Sequence, residues 1–345
     1  MPISITYNVD TVEFTVPCDD PLLPDEVTVT GTTPDGEITF RNQNRQIVRA
    51  KGGVHNLTVR PNGLKKLLAV SGSPFGFAYG QNLYMPGSVQ EACWEALIAI
   101  SDRLSMKPTY GKMKRKLSQI VLSRVDLAIH FQFRNLEEVI AFIEQLKSQL
   151  AKQRVHVHSY ATGLHWLPSK GEEYSIRIYA KGPEMALFDP AFLSPDEKRL
   201  VEESGGILRV EFQLRGRALR KFGGLVNPSD WTRAKTEEVF RHYMELLPLS
   251  NVKGGPIAPE ELARLPKALK PVLIAWASGA ILTDVYPNRR TRDGYIRALK
   301  KYGWDITQEY TGDAQVIQVK DLLDLSRAVK EPPAWLKAAG LYPED

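Results

Sequence analysis

The nine residues Ile207-Leu-Arg-Val-Glu-Phe-Gln-Leu-Arg215 alternate without a break between apolar and polar side chains. That period of two demands a strand with two unlike faces. Leu208, Val210, Phe212 and Leu214 fall on one face, and Arg209, Glu211, Gln213 and Arg215 on the other. Two more segments share the property. In Ser123-Arg-Val-Asp-Leu-Ala-Ile-His130, Asp126, Ala128 and His130 share a side, and in Tyr174-Ser-Ile-Arg-Ile-Tyr-Ala-Lys181 so do Arg177, Tyr179 and Lys181. Read plainly, these are the polar faces of half-solvated antiparallel strands, with Asp126 and Glu211 in salt bridges to neighbouring arginines. Read chemically, neighbouring strands would gather two acids able to hold a hard, oxygen-seeking divalent ion beside a tyrosine and cations. Such a tyrosine can attack phosphorus while metal, Lys and Arg offset the developing charge.

Short β-branched or alternating runs between turn residues predict strands at Ile3 to Val9, Glu26 to Thr30, Glu37 to Asn42, Ile47 to Ala50 and Asn56 to Arg60. Leu64 to Val70 reads as a short helical run, and Ser71 to Gly87 as a loop rich in Gly and Ser. Ser88, with Glu91 three residues on, opens a helix over 88–105. Then follow a strand from Gln119 to Phe133, a helix from Leu136 to Gln153 capped by Asn135, and strands at Val155 to Tyr160, Gly163 to Leu167 and Tyr174 to Lys181. A helix from Ser194 to Glu203 precedes the alternating strand. From Asn227 the pattern turns helical: Ser229 to Leu247, Pro259 to Ser278, Arg289 to Tyr302 and Lys320 to Val329, with Gly254-Gly255-Pro256 as linker. Helices are too few for a regular parallel α/β fold. The expectation is an α+β protein whose central, mostly antiparallel sheet is flanked by helices. Residues 1–87 would be the β-rich N-terminal part of the core, 88–226 the antiparallel-sheet core, and 227–345 a helical C-terminal region.

Composition narrows the class. In 345 residues there are 45 Lys plus Arg against 40 Asp plus Glu, and 43% are hydrophobic, which argues against global disorder. No stretch approaches the apolar length of a membrane span, and Met1-Pro2-Ile3-Ser4 lacks a basic region followed by an apolar one. A soluble, unsecreted protein with no membrane partner is expected. Two cysteines, Cys18 and Cys93, cannot build a disulfide framework or a four-thiolate zinc site, and suit a reducing cytoplasm as packing residues. Neither a Gly-x-x-x-x-Gly-Lys-Ser/Thr loop nor a Cys-x-x-Cys pair is present.

Ser-Arg-Val-Asp-Leu-Ala at 123–128, Ile-Arg-Ile-Tyr-Ala-Lys-Gly-Pro-Glu at 176–184 and Leu-Arg-Val-Glu at 208–211 resemble three ordered motifs of phage and plasmid rolling-circle replication initiators. The filamentous phage gene II/X family is the nearest, and the plasmid trans-acting Rep initiators are similar. Ile274-Ala-Trp-Ala-Ser-Gly279 and the stretch from Arg290 to Ile306 resemble further family segments. The resemblance implies a Rep/relaxase-like nuclease core and a nickase working in the bacterial host cytoplasm. Such an enzyme cuts one strand of a double-stranded origin, becomes linked to the 5′ phosphate, leaves a 3′ hydroxyl primer and later rejoins the strand. It also implies DNA as partner, together with a host helicase and polymerase. By motif, Tyr179 is the nucleophile. Lys181 stabilises phosphate charge or helps deprotonate the phenol, and Asp126 and Glu211 bind Mg²⁺ or Mn²⁺. His130 stands where plasmid members often carry a second Asp, and can serve as ligand or base.

Val155-His-Val-His158 offers a different metal site, because His156 and His158 match the His-hydrophobic-His strand of HUH endonucleases. For DNA contact, Arg289, Arg290, Arg292, Arg297 and Lys300 crowd one helix, and a helix-turn-helix arrangement with the helix through Trp276 is possible. Lys114 and Arg115 lie in a basic loop, Arg215 heads a third patch, and Arg177 and Arg209 flank the acids. The rival from another class is an origin-binding regulator on the same fold that does no chemistry.

Overall fold

The computed structural model describes residues 7–18, 28–32, 35, 38–43, 46–50, 55–62, 66–103, 116–152, 157–168, 173–187, 191, 193–247, 257, 259–307, 323, 328–329 and 331–343. The protein is α+β. Its strands are β1 (Asn8–Pro17), β2 (Thr28–Thr32), β3 (Ile38–Gln43), β4 (Gln46–Val48), β5 (Leu57–Asn62), β6 (Leu67–Gly72), β7 (Val121–Gln132), β8 (Val157–Tyr160), β9 (Gly163–Trp166), β10 (Tyr174–Ala180) and β11 (Ile207–Arg215). Nine of them form one sheet in the order β4-β5-β6-β1-β7-β11-β10-β9-β8, while β2 and β3 pair as a separate hairpin. Every pairing is antiparallel.

By contacts the chain divides into two compact units: Met1–Ile140 with His156–Leu246 and Ala328–Asp345, and Ala141–Val155 with Leu247–Arg327. The first carries the sheet. The apolar face of β11 meets the helix Arg233–Leu246, where Phe212 stands edge-on to Phe240 at 4.9 Å between ring centres. Such contacts add to the area these rings remove from water. The C-terminal residues return to this unit: Ala328 bridges Phe131, Val329 N–H donates to the His130 carbonyl at 2.9 Å, and Leu336 is buried beside Leu200 and Ile207.

The second unit contains the helices Pro259–Arg264, Lys270–Ala277, Leu282–Val285 and Arg289–Lys300. They enclose a core of Leu265, Leu269, Val272, Leu273, Trp276, Leu299, Trp304 and Ile306.

Expected boundaries hold for the helix at Val89–Arg103, where Ser88 Oγ accepts from Glu91 N–H, and for Leu136–Lys152, where Asn135 Oδ1 accepts from Glu138 N–H. Four expectations change. The described part of Leu64 to Val70 is not helical: Leu67–Gly72 is β6, with Leu68 and Val70 buried between β1 and β5, so sheet pairing overrides a spacing that also suits a helix. The loop from Ser71 contains the helix Pro74–Tyr79, begun by a proline in its first turn and ended by Gly80 in the left-handed region. The helix Pro259 to Ser278 is two, separated at Pro266, whose ring and missing N–H interrupt a helix interior. The first strand, Asn8–Pro17 among the described residues, extends well past Val9. The linker Gly254-Gly255-Pro256 and most of Lys320 to Val329 lie outside the described residues. Among the described residues no helix is long and apolar enough to cross a membrane. Cys18 and Cys93 are buried, and burial pushes the Cys93 thiol up.

Candidate active site

The three motif strands are neighbours. Across the sheet, Tyr179 on β10 pairs with Arg209 on β11, which pairs with His130 on β7. Two residues along, Arg177 pairs with Glu211, and Glu211 with Ala128. In the next row Ser175 pairs with Gln213, and Gln213 with Asp126. Side chains two apart share a face, so these rows stack on one side of the sheet.

This face is not half-solvated. Asp126, His130, Arg209 and Glu211 are all buried, Arg209 at 0% exposure. A fourth strand, β1, contributes Asp10, which the sequence reading missed. On β1, Val9 pairs with Leu127 and Thr11 with Asp126, so Asp10 is the extra residue of a bulge. Bulges re-aim side chains. Asp10, Asp126 and Glu211 each offer a carboxylate oxygen, and these three lie within 4.8 Å of one another.

Cations hold the acids. Arg209 pairs with Asp10 at 2.9 Å and with Glu211 at 3.6 Å, and its Nη1 donates to the Asn82 carbonyl at 2.6 Å. Arg124 grips Asp126 with two nitrogens, its Nε at 2.7 Å from Oδ1. Arg177, more exposed, pairs with Glu211 Oε1 at 3.4 Å. Burying charge is costly unless it is paired in this way. The balance is uneven: burial, then Asp10, push the Glu211 carboxyl up to about 7 against the pull of Arg209. Burial also raises Asp126 despite Arg124. Asp10 goes the other way, because Arg209 and Lys181 together outweigh its burial. The three carboxyls titrate as a group. An all-oxygen donor set with protons to lose fits a hard divalent ion such as Mg²⁺ or Mn²⁺.

Tyr179 stands beside the acids, its phenol donating to Glu211 Oε2 at 3.3 Å. Burial holds its proton well above the usual tyrosine range, and Arg209 opposes that only in part. Lys181 does not continue the strand as expected. It begins the helix Lys181–Met185, fully buried, and its Nζ donates to Asn82 Oδ1 and Glu184 Oε1, each at 2.8 Å. Burial and the nearby Arg209 lower it to about 8. Its Nζ lies 6.0 Å from the centre of the Tyr179 ring.

Two residues take roles other than those expected. His130 is outside the acidic group: its Nδ1 meets Asn8 Nδ2 at 3.1 Å, and Asn8 Oδ1 accepts from Met85 N–H. Burial, then Arg209 and Lys181, keep its ring neutral. Arg209 cannot reach DNA, because it is wholly enclosed among Asp10, Glu211 and Asn82. His158 is exposed on the edge strand β8, opposite His165, while His156 falls outside the described residues, as do Lys114 and Arg115. Arg215 is half-exposed and pairs with Glu13 at 3.5 Å.

In the helical unit, Arg289, Arg290 and Arg297 are exposed on Arg289–Lys300. Arg292 is occupied, its Nη1 donating to the carbonyls of Tyr286 and Pro287, and Lys300 pairs with Asp305 at 3.2 Å. The long turn Ala280 to Asn288 contains the short helix Leu282–Val285, which leaves no strict helix-turn-helix.

The motif strands thus gather acids and a phenol on one face of the sheet, with the buried Lys181 just beyond the end of β10. Residues 9–234 match the family described as replication-associated protein G2P, N-terminal, and the chain belongs to that family. The match begins one residue before Asp10 and includes Asp126, Tyr179, Lys181 and Glu211. A solved structure, the rolling circle replication initiator protein from Geobacillus stearothermophilus, aligns at 11% identity over 69% of this chain and 80% of that one, with a TM-score of 0.29. A likeness of that size carries no weight here. No curated protein matches the chain.

Proposed function

We propose that this initiator nicks one strand of a double-stranded DNA origin, with Tyr179 as the nucleophile. The observation that supports this best is the hydrogen bond from the Tyr179 phenol to Glu211, made inside a group of three carboxylates. Asp10, Asp126 and Glu211 would hold Mg²⁺ or Mn²⁺, which when bound supplies a Lewis acid for the phosphate oxygens. Tyr179 Oη forms a bond to phosphorus as the bond to the 3′ oxygen breaks. Its proton passes to Glu211 Oε2, and the departing 3′ oxygen takes one from solvent. Arg177, on the same face and partly exposed, would meet the phosphate. The product is a 5′-phosphotyrosine and a free 3′ hydroxyl, and reversal rejoins the strand. Arg289, Arg290 and Arg297 would follow backbone phosphates.

The test is nicking of supercoiled DNA carrying the replicon's own origin, in Mg²⁺, Mn²⁺ or EDTA, with protein scored on the 5′ end. Wild type is expected to form adducts only with metal, and Tyr179→Phe none. Origin binding without any cutting would leave the regulator as the better reading. Adducts in Tyr179→Phe would move the nucleophile elsewhere, with Tyr174 and the His156 and His158 segment next to be examined.

A further inference from the structure

Beside Tyr179 lies an open cleft of about 440 Å³ to which the nicking chemistry gives no use. Its volume falls within the roughly 300 to 1,000 Å³ common for small-ligand sites. We propose that this cleft is a subsite for one unpaired nucleobase adjoining the scissile phosphate, and that it favours a base bearing an exocyclic amine. The proposal rests on the nicking reading above and adds the substrate contact which that reading lacks.

Three observations carry it. First, the walls are apolar and come from separate elements: Tyr160 and Leu164 from the β8 and β9 hairpin, Pro183 and Leu187 from the helix after β10 and its end. Leu187 is 85% exposed and Tyr160 57%, an unusual cost for two large apolar groups bordering one cleft. A planar heteroaromatic ring that stacks on a phenol and covers a leucine suits such walls, because every base has a π-face.

Second, the cleft is continuous with the reacting end. Arg177 and Tyr179 line it too, so a phosphate held by Arg177 would place the attached base toward Tyr160. Gly163 lets β9 lie close against Tyr179 at this wall. A Cβ there would come within 2.6 Å of the Tyr179 Cβ and 2.9 Å of the Ile178 carbonyl oxygen.

Third, the lining includes a carboxylate. Glu184 is partly exposed and held by Lys181 at 2.8 Å, and that lysine keeps it ionised although burial works the other way. A carboxylate accepts from the amine of cytosine, adenine or guanine. Thymine presents its one donor between two carbonyls that repel the same carboxylate.

The test uses the full chain and single-stranded oligonucleotides spanning the mapped nick, with affinity measured by fluorescence anisotropy in EDTA so that no cutting intervenes. An abasic site is moved through four positions on each side of the nick. One position is expected to weaken wild-type binding about tenfold. That dependence should vanish in Tyr160→Ala and persist in Tyr160→Phe. With the base restored, thymine at that position should bind more weakly than cytosine or adenine. A flat abasic scan, or the same scan in Tyr160→Ala, overturns the subsite, and equal binding of thymine and cytosine overturns the amine preference. The two proposals fail separately. Adducts surviving in Tyr179→Phe defeat the nucleophile assignment but leave the binding scan readable. A flat scan alongside Tyr179-dependent adducts defeats only the subsite.

Discussion

The polar face of the sheet and the basic helix Arg289–Lys300 spend charge in opposite ways. On the sheet, Asp10, Asp126 and Glu211 sit side by side, largely out of solvent, and are tolerable because Arg209 neutralises Asp10 and Glu211 and Arg124 neutralises Asp126. On the helix, Arg289, Arg290 and Arg297 face solvent while Leu299 turns to the core beside Trp276 and Trp304. Exposed charges cost a fold almost nothing and so say little about purpose beyond attraction to polyanions. A buried charge network that a hydrophobic set could replace without loss of stability speaks for chemistry at that place.

The sharpest way to break this contrast is to delete one cation from each region. Arg209→Met leaves Asp10 and Glu211 buried without their main partner and is expected to cost about 3 to 5 kcal/mol in urea unfolding. Arg290→Ala should stay within about 0.5 kcal/mol of wild type. Similar losses from the two would mean that the sheet network is solvated and carries no special cost.

Next in size is Gly163→Ala. The new Cβ would meet the Tyr179 side chain and the Ile178 backbone, so the phenol must move. A displacement near 1 Å from productive geometry costs on the order of 10²-fold in rate, and overpacking costs roughly 1 to 3 kcal/mol of stability. Single-turnover nicking at saturating DNA separates the two. A rate within a few-fold of wild type would show that Tyr179 is not held where it must react.

How far such a site can be read from sequence follows from which facts are local. Alternation in 207–215 and in the motif segments fixed which side chains share a face, and β7, β10 and β11 place Asp126, Tyr179 and Glu211 together on that basis. Asp10 was invisible because its orientation comes from a bulge, and the bulge exists only through the pairing of β1 with β7. Asn82, which ties Lys181 and Arg209 together, lies in a stretch without periodicity. Arg209 looked like a surface cation because alternation tells faces apart but cannot tell which face is covered. The same ambiguity misassigned Leu64 to Val70, whose leucine spacing suits either period until β1 and β5 pair with it.

A smaller effect comes from pH. Glu211 has a folded pKa of about 7, above an unfolded value near ~4.3. Its contribution to stability is therefore fully present below the unfolded value and is lost as pH rises through about 7. Asp126 acts in the same sense and Asp10 in the opposite one. The metal-free protein should lose melting temperature from pH 5 to pH 8 more than Glu211→Gln does, and Mg²⁺ should raise the wild-type melting temperature more at pH 8 than at pH 5. Parallel curves for the two proteins would place the excess proton elsewhere.

The smallest effect belongs to the helix, and it is visible only in DNA affinity. Arg289, Arg290 and Arg297 are exposed, and their weak ties within the helix, such as Arg289 to Asp293 at 3.8 Å, are easily exchanged for phosphates. Each phosphate contact releases about one counterion, so each substitution to Ala should reduce the slope of log affinity against log salt by about 1. Arg292→Ala should behave differently, because its guanidinium already serves the carbonyls of Tyr286 and Pro287. Its loss should loosen the turn before the helix, lowering the melting temperature while leaving the slope unchanged. If Arg292→Ala reduces the slope as much as Arg290→Ala does, the turn releases this side chain to DNA, and exposure alone is a poor guide to which cations on the helix bind.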